Sequence, residues 1–281
     1  TWPRRRRPWG IQNPDLPIPI IDVPWDHLAN PWELLTIAHE VGHDVDEDLG
    51  RITQALQPTI VSWLESIQTP AERIDQWKAW TSEILADLVG VLLAGPPFVH
   101  VLASLLTLPR RCVKVIDLAD SHPPHYLRVL INTALVRHLG LSKTADALES
   151  GWRAVYGEPG NDFSPYFAEI GSIIETILGT PIAPLRDLNG NWHSLSELIV
   201  FTTDDQARIL EAAAKLAVGD PLARPPLRHV VSASQLAFEQ MSRTGDDVGV
   251  ATLAQRVQRA IIRMAPSRRL PAELISHRAQ Q

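Results

Sequence analysis

Hydrophobic positions recur along most of this chain at helical spacing, and strand-like stretches are few and short. Leu34, Ala38, Val41, Val45 and Leu49 fall three or four residues apart and form one apolar stripe, with Leu35, His39, Gly42, His43 and Asp46 beside it. Asn30, Pro31 and Glu33 read as N-cap, first-turn proline and capping-box glutamate, and Gly50 reads as the stop of that helix. The same start recurs at Thr69, Pro70 and Glu72, ahead of a stripe of Ile74, Trp77, Ile84, Leu88 and Val91. Gln76, Trp80, Glu83, Asp87, Gly90 and Ala94 lie on another face, whose small later residues let a second helix come close. Pro123 and Pro124 can open a helix but not sit inside one, so a helix running to about Leu139 is predicted, with His122 at or next to its N-terminus.

Further helices are predicted over 142–156, 163–178, 203–217, 228–242 and 247–264, with Thr203-Asp204-Asp205 as one start and Gly219 as its stop. Residues 179–192 are rich in Pro, Asn and Gly and read as a linker. Two segments read as extended. Prolines and β-branched residues over 18–24 suggest an edge strand along a cleft or a lone extended segment, and 112–116, within 111–118, suggests another strand. The fold class expected is therefore mainly α, with at most a small β element and a C-terminal helical layer. The expected organisation is a basic Trp/Pro-rich tail over 1–17, a core over 18–158 and a helical subdomain over 159–281.

Composition narrows the function classes. At 281 residues and 45% hydrophobic, the chain can bury a sizeable core, and a net charge of −6 argues against a general nucleic-acid binder. The longest apolar stretch, 88–99, is broken by Gly95-Pro96-Pro97 and falls short of the ~20 residues a membrane span needs. Cys112 is the only cysteine, so no intrachain disulfide can form and a reducing, cytoplasmic setting is expected. A chain starting at Thr1 is expected to have lost its initiator or an upstream part, which makes a partner domain or upstream region of a longer protein a further expectation. Arg4 to Arg7, between Trp2 and Trp9, read as a solvated tail or as a grip for a phosphate-rich partner or another domain. Trp63, Trp77 and Trp80 suit helical packing better than base stacking, and His138, His229 and His277 read as capping or surface groups.

The chemistry concentrates in His39-Glu40-Val41-Gly42-His43. On a helix, positions i and i+4 share a face, so both imidazoles can reach one metal ion, and Glu40 can take a proton from the water that the ion activates. Such a hydrolytic zinc site needs a third protein ligand and one open position. Glu83 supplies the candidate ligand, and Asp87, one turn on, is a carboxylate able to hold a ligand histidine by its distal N–H. The other reading is two hydrogen-bonded helix histidines with surface acids. Asp44, Asp46, Glu47 and Asp48 read as a solvated helix end, though Asp46 is on the motif face and could orient a ligand.

Glu83-Ile84-Leu85-Ala86-Asp87, together with Ser121-His122-Pro123-Pro124 and the following Arg128, resembles elements of the gluzincins of the CAAX prenyl endopeptidase and heat-shock membrane protease family. The resemblance covers roughly residues 18–140. It implies one zinc ion held by His39, His43 and Glu83, general base Glu40 and supporting Asp87, with His122 and Arg128 facing the site to steady the oxyanion. A fixed donor of that kind contributes about 3 kcal/mol to lowering the barrier. On the other reading His122 caps its helix and Arg128, like Arg137, pairs with a surface acid. Family members usually carry membrane helices, so a soluble relative acting on protein or peptide substrates is expected. The alternatives are a catalytically inactive gluzincin-like binding or sensing module, and a helical interaction domain that binds no metal.

Overall fold

The computed structural model describes residues 21–117 and 119–264 and is mainly α-helical. Among those residues run α1 (Trp25–Ala29), a 3-10 turn (Pro31–Thr36), α2 (Ile37–Asp48), α3 (Ile52–Ser66), α4 (Ala71–Ala94), α5 (Pro96–Leu105), α6 (Arg110–Val113) and α7 (His125–His138). After them come α8 (Ser142–Tyr156), a 3-10 turn (Asn161–Phe163), α9 (Ser164–Gly179), β1 (Ile182–Arg186), β2 (Trp192–His193), α10 (Leu195–Leu198), α11 (Thr203–Val218), α12 (Leu227–Thr244) and α13 (Asp247–Met264). No described helix is long and apolar enough to cross a membrane.

α4 is the axis of the molecule because it is apolar on nearly every side. Its Leu85, Leu88, Val89 and Val91 are all 0% exposed, which requires neighbours all round, and α2, α3, α5, α7 and α12 supply them. α3 repeats Ile52, Leu56, Ile60 and Leu64 at every fourth position and lays that ridge into the same core. α9 adds Ile170, Ile173, Ile174 and Ile177 to it. A second, smaller core closes α11, α12 and α13 on one another and on Trp32 of the first 3-10 turn. The Trp32 ring stacks on Phe238 with centroids 4.3 Å apart. Gly95, at φ +73°, joins α4 to α5 where a Cβ would lie 2.2 Å from the Phe201 ring, so glycine serves both the turn and the contact with the second core.

Several sequence expectations change here. Neither predicted capping box forms: Asn30 precedes a 3-10 turn and makes no side-chain cap, and the Thr69 hydroxyl donates to Glu169 instead of capping α4. Capping boxes do form at Ser194 with Glu197 and at Thr202 with Asp205. The strand expected over 112–116 is absent, because Pro109 starts the one-turn helix α6 and no strand runs alongside it. Most of the antiparallel β1–β2 hairpin, which ends at His193, falls within the predicted linker over 179–192. His229, expected as a capping or surface group, is buried beside the second core with Asp205 Oδ1 3.4 Å from its Nε2, and burial lowers its pKa. Residues 21–24 form no regular element. The basic tail, residues 18–20, Leu118 and His277 lie outside the described residues.

Candidate metal centre

The site begins where α2 crosses α4. A Cβ on Gly42 would lie 2.5 Å from the Ala86 Cα and 2.7 Å from its carbonyl oxygen, so the two backbones touch at the glycine inside the motif. Gly42→Ala is therefore expected to force the helices apart, at a cost of about 1–3 kcal/mol. The same shift would draw His39 and His43 away from Glu83 and so weaken any metal held between them. A thermal melt and a zinc titration matching the unsubstituted protein would show that the contact is looser.

That approach puts the side chains of both helices within reach of one point. The Nε2 atoms of His39 and His43 lie 3.1 Å apart. His39 Nε2 is 3.3 Å from Glu83 Oε2, and His43 Nε2 is 3.3 Å from Glu83 Oε1. Ligand atoms of all three residues fall within 4.8 Å of one another. On its far side, His39 Nδ1 is 2.8 Å from Asp87 Oδ1, so an Nδ1–H donated to this carboxylate turns Nε2 toward Glu83 and His43.

Asp87 is 1% exposed and cannot stand there as an isolated charge. Arg128, from α7, grips it with a fork, Nε donating to Oδ2 at 2.7 Å and Nη2 to Oδ1 at 2.9 Å. Asn132, one turn further on, donates Nδ2 to Oδ2 at 3.1 Å. Arg128 Nη2 also comes within 3.2 Å of Glu83 Oε2. The arginine thus belongs to the buried centre, not to a surface ion pair of the kind Arg137 makes with Asp146.

His122 sits three residues ahead of α7, separated from it by Pro123 and Pro124, and does not open the helix itself. It is half-exposed with Nε2 3.3 Å from Glu83 Oε2, while its Nδ1 meets Asp120 Oδ1 at 2.8 Å. The same Asp120 oxygen accepts the His122 backbone N–H at 2.9 Å. Glu40 is exposed on α2. Asp46 does not orient a ligand: its Oδ1 accepts the backbone N–H of Thr53 at 2.7 Å and secures the start of α3.

Electrostatics follow from this geometry. Burial opposes ionisation of Glu83, but the close imidazoles of His39 and His43 and the charge of Arg128 outweigh it and hold the carboxyl well below its usual range. Burial likewise opposes the charge on Asp87, and Arg128 keeps that pKa low. For His39, burial favours the neutral ring, yet Asp87 and Glu83 raise its pKa to about 9. Glu83 Oε2 is the informative atom: it is buried and surrounded by cationic groups, but none makes a well-formed hydrogen bond to it. An orphaned carboxylate oxygen beside two imidazole nitrogens suits a zinc ion, whose common ligands are nitrogen and oxygen atoms of this kind.

Sequence reasoning missed Asp120 and Asn132. Asp120 stands two residues before His122, the spacing of an Asx turn, and Asn132 stands four after Arg128 on the same helix face, so both had a weak local signal. Asp26, His27 and Glu33 form another trio within 4.8 Å, but Asp26 is exposed and His27 Nδ1 meets Thr36 Oγ1 instead of a buried carboxylate. The chain matches no protein-family model, no curated protein and no solved structure.

Proposed function

We propose that the chain is a zinc-dependent endopeptidase of gluzincin type, cleaving protein or peptide substrates. The observation that carries this reading is the convergence of His39, His43 and Glu83, backed by Asp87 behind His39. A bound zinc ion would polarise the scissile carbonyl and lower the pKa of its water toward ~7. Glu40, exposed next to a ligand in sequence, takes the proton of the attacking water and returns it to the leaving amine. Asp120 fixes His122 with Nε2 turned inward, and Asp87 fixes Arg128, so a cationic or N–H donor is in place for the developing oxyanion.

Metal analysis of the purified chain, paired with a peptide-library digest, tests the proposal. About one zinc per chain is expected, lost in His39→Ala and Glu83→Ala, together with cleavage that a chelator stops. A chain that takes up no zinc sinks the reading. Bound zinc with no cleavage of any peptide would make this a binding or sensing module instead.

A further inference from the structure

Away from the metal centre, α5, α7, α8 and α12 enclose an open groove of about 610 Å³. This volume falls in the range that takes a drug-sized molecule. We propose that the groove binds a small aromatic carboxylate, and this inference stands independently of the zinc reading.

Three observations point to that ligand. Trp152, Tyr156 and Phe238 line the groove beside aliphatic residues such as Leu148 and Val155, and Trp152, only 6% exposed, carries an indole N–H with no acceptor. Flat rings on the lining favour a flat apolar body. A polar cluster gives the groove a charged feature: the Glu239 carboxylate accepts from Arg243 at 3.0 Å and from Gln235 at 3.3 Å, and pairs with His100. Its charge is thereby compensated, and among the described lining residues it is the sole carboxylate. Arg243 is 77% exposed, so its guanidinium keeps donors free for a second, incoming carboxylate, which suits its planar fork.

Gly151 supplies the third observation. It lies inside α8 without positive φ, so its backbone does not require glycine, and helix propensity disfavours it there. A Cβ at this position would meet nothing within 4 Å, and the residue lines the groove. The missing side chain leaves the groove open where the helix alone would favour filling it.

Calorimetric titration with naphthoate and with its neutral counterpart naphthalenemethanol tests the proposal on the full chain. Gly151→Leu should weaken both by about tenfold or more by filling the site, with helix content and melting temperature retained. Ala147→Phe, at another exposed lining position, should do the same if the first variant folds poorly. Arg243→Gln should weaken naphthoate by about tenfold and leave naphthalenemethanol unchanged. The proposal is overturned if neither probe binds, if binding survives both blocking variants, or if the neutral probe binds as well as the anion and Arg243→Gln alters neither.

Discussion

On the proposed zinc-peptidase reading, replacing Glu40 with Gln is expected to lower peptide cleavage by about a hundredfold to ten-thousandfold, the usual contribution of a general base. The amide keeps the size of the side chain but cannot accept the proton. Glu40 is exposed, and the candidate ligand atoms belong to His39, His43 and Glu83, so melting temperature and zinc content should stay as they are. The loss should fall on kcat and leave KM little changed, because proton transfer is felt in the transition state and not in substrate binding. Steady-state kinetics on any cleaved peptide, with metal content measured on the same preparation, gives the answer. Wild-type turnover in this variant would remove Glu40 from the mechanism.

Arg128→Leu carries the largest expected effect on stability, a loss of about 3–5 kcal/mol in the metal-free protein. Leucine can occupy much of the arginine's space, but it leaves the buried Asp87 carboxylate without its forked partner. His39 and Asn132 remain beside it and cannot replace two charge-assisted hydrogen bonds. Adding Asp87→Leu to Arg128→Leu should recover much of the loss, since the buried charge goes with its partner. Zinc affinity should not recover, because His39 then has no acceptor for its Nδ1–H. Denaturant melts of the two variants decide the matter. A loss under about 1 kcal/mol in the single variant would mean that the pair behaves like an exposed one.

How much of this was legible in the sequence depended on how local the cause was. Periodicity and helix stops act within a few residues, which is why α8, α9, α11, α12 and α13 lie close to their predicted ranges and Gly50 and Gly219 end their helices at positive φ. The juxtaposition of His39, His43, Glu83 and Asp87 could be anticipated because each pair repeats at one turn of helix. Capping failed at Thr69 because Glu169 competes for its hydroxyl, and at Asn30 the chain enters a 3-10 turn with no side-chain cap. Short elements failed as well. Residues 112–116 alternate like a strand, yet a strand exists only beside a partner, and the two that do pair, β1 and β2, were concealed by Pro, Gly and Asn. The 15-residue helix α3 carries Pro58 in its interior, which masks a regular apolar ridge. Asp120 and Asn132 had only local spacing to mark them, and the folded chain shows which imidazole and carboxylate they serve.

The stacking of Trp32 on Phe238 links the two halves of the molecule more tightly than the order of helices suggests. Trp32 belongs to the turn that leads directly into α2, but its ring is part of the core built by α11, α12 and α13. A second tie runs nearby, from Gln258 Nε2 on α13 to the Leu28 carbonyl on α1 at 2.6 Å. The segment that delivers both candidate ligand histidines is thus clamped by residues far along the chain, so its opening is not a private event of the N-terminal helices. Protection of α2 amides against hydrogen exchange becomes a property shared with the C-terminal layer, which makes that layer part of the cooperative unit holding the candidate ligands in register.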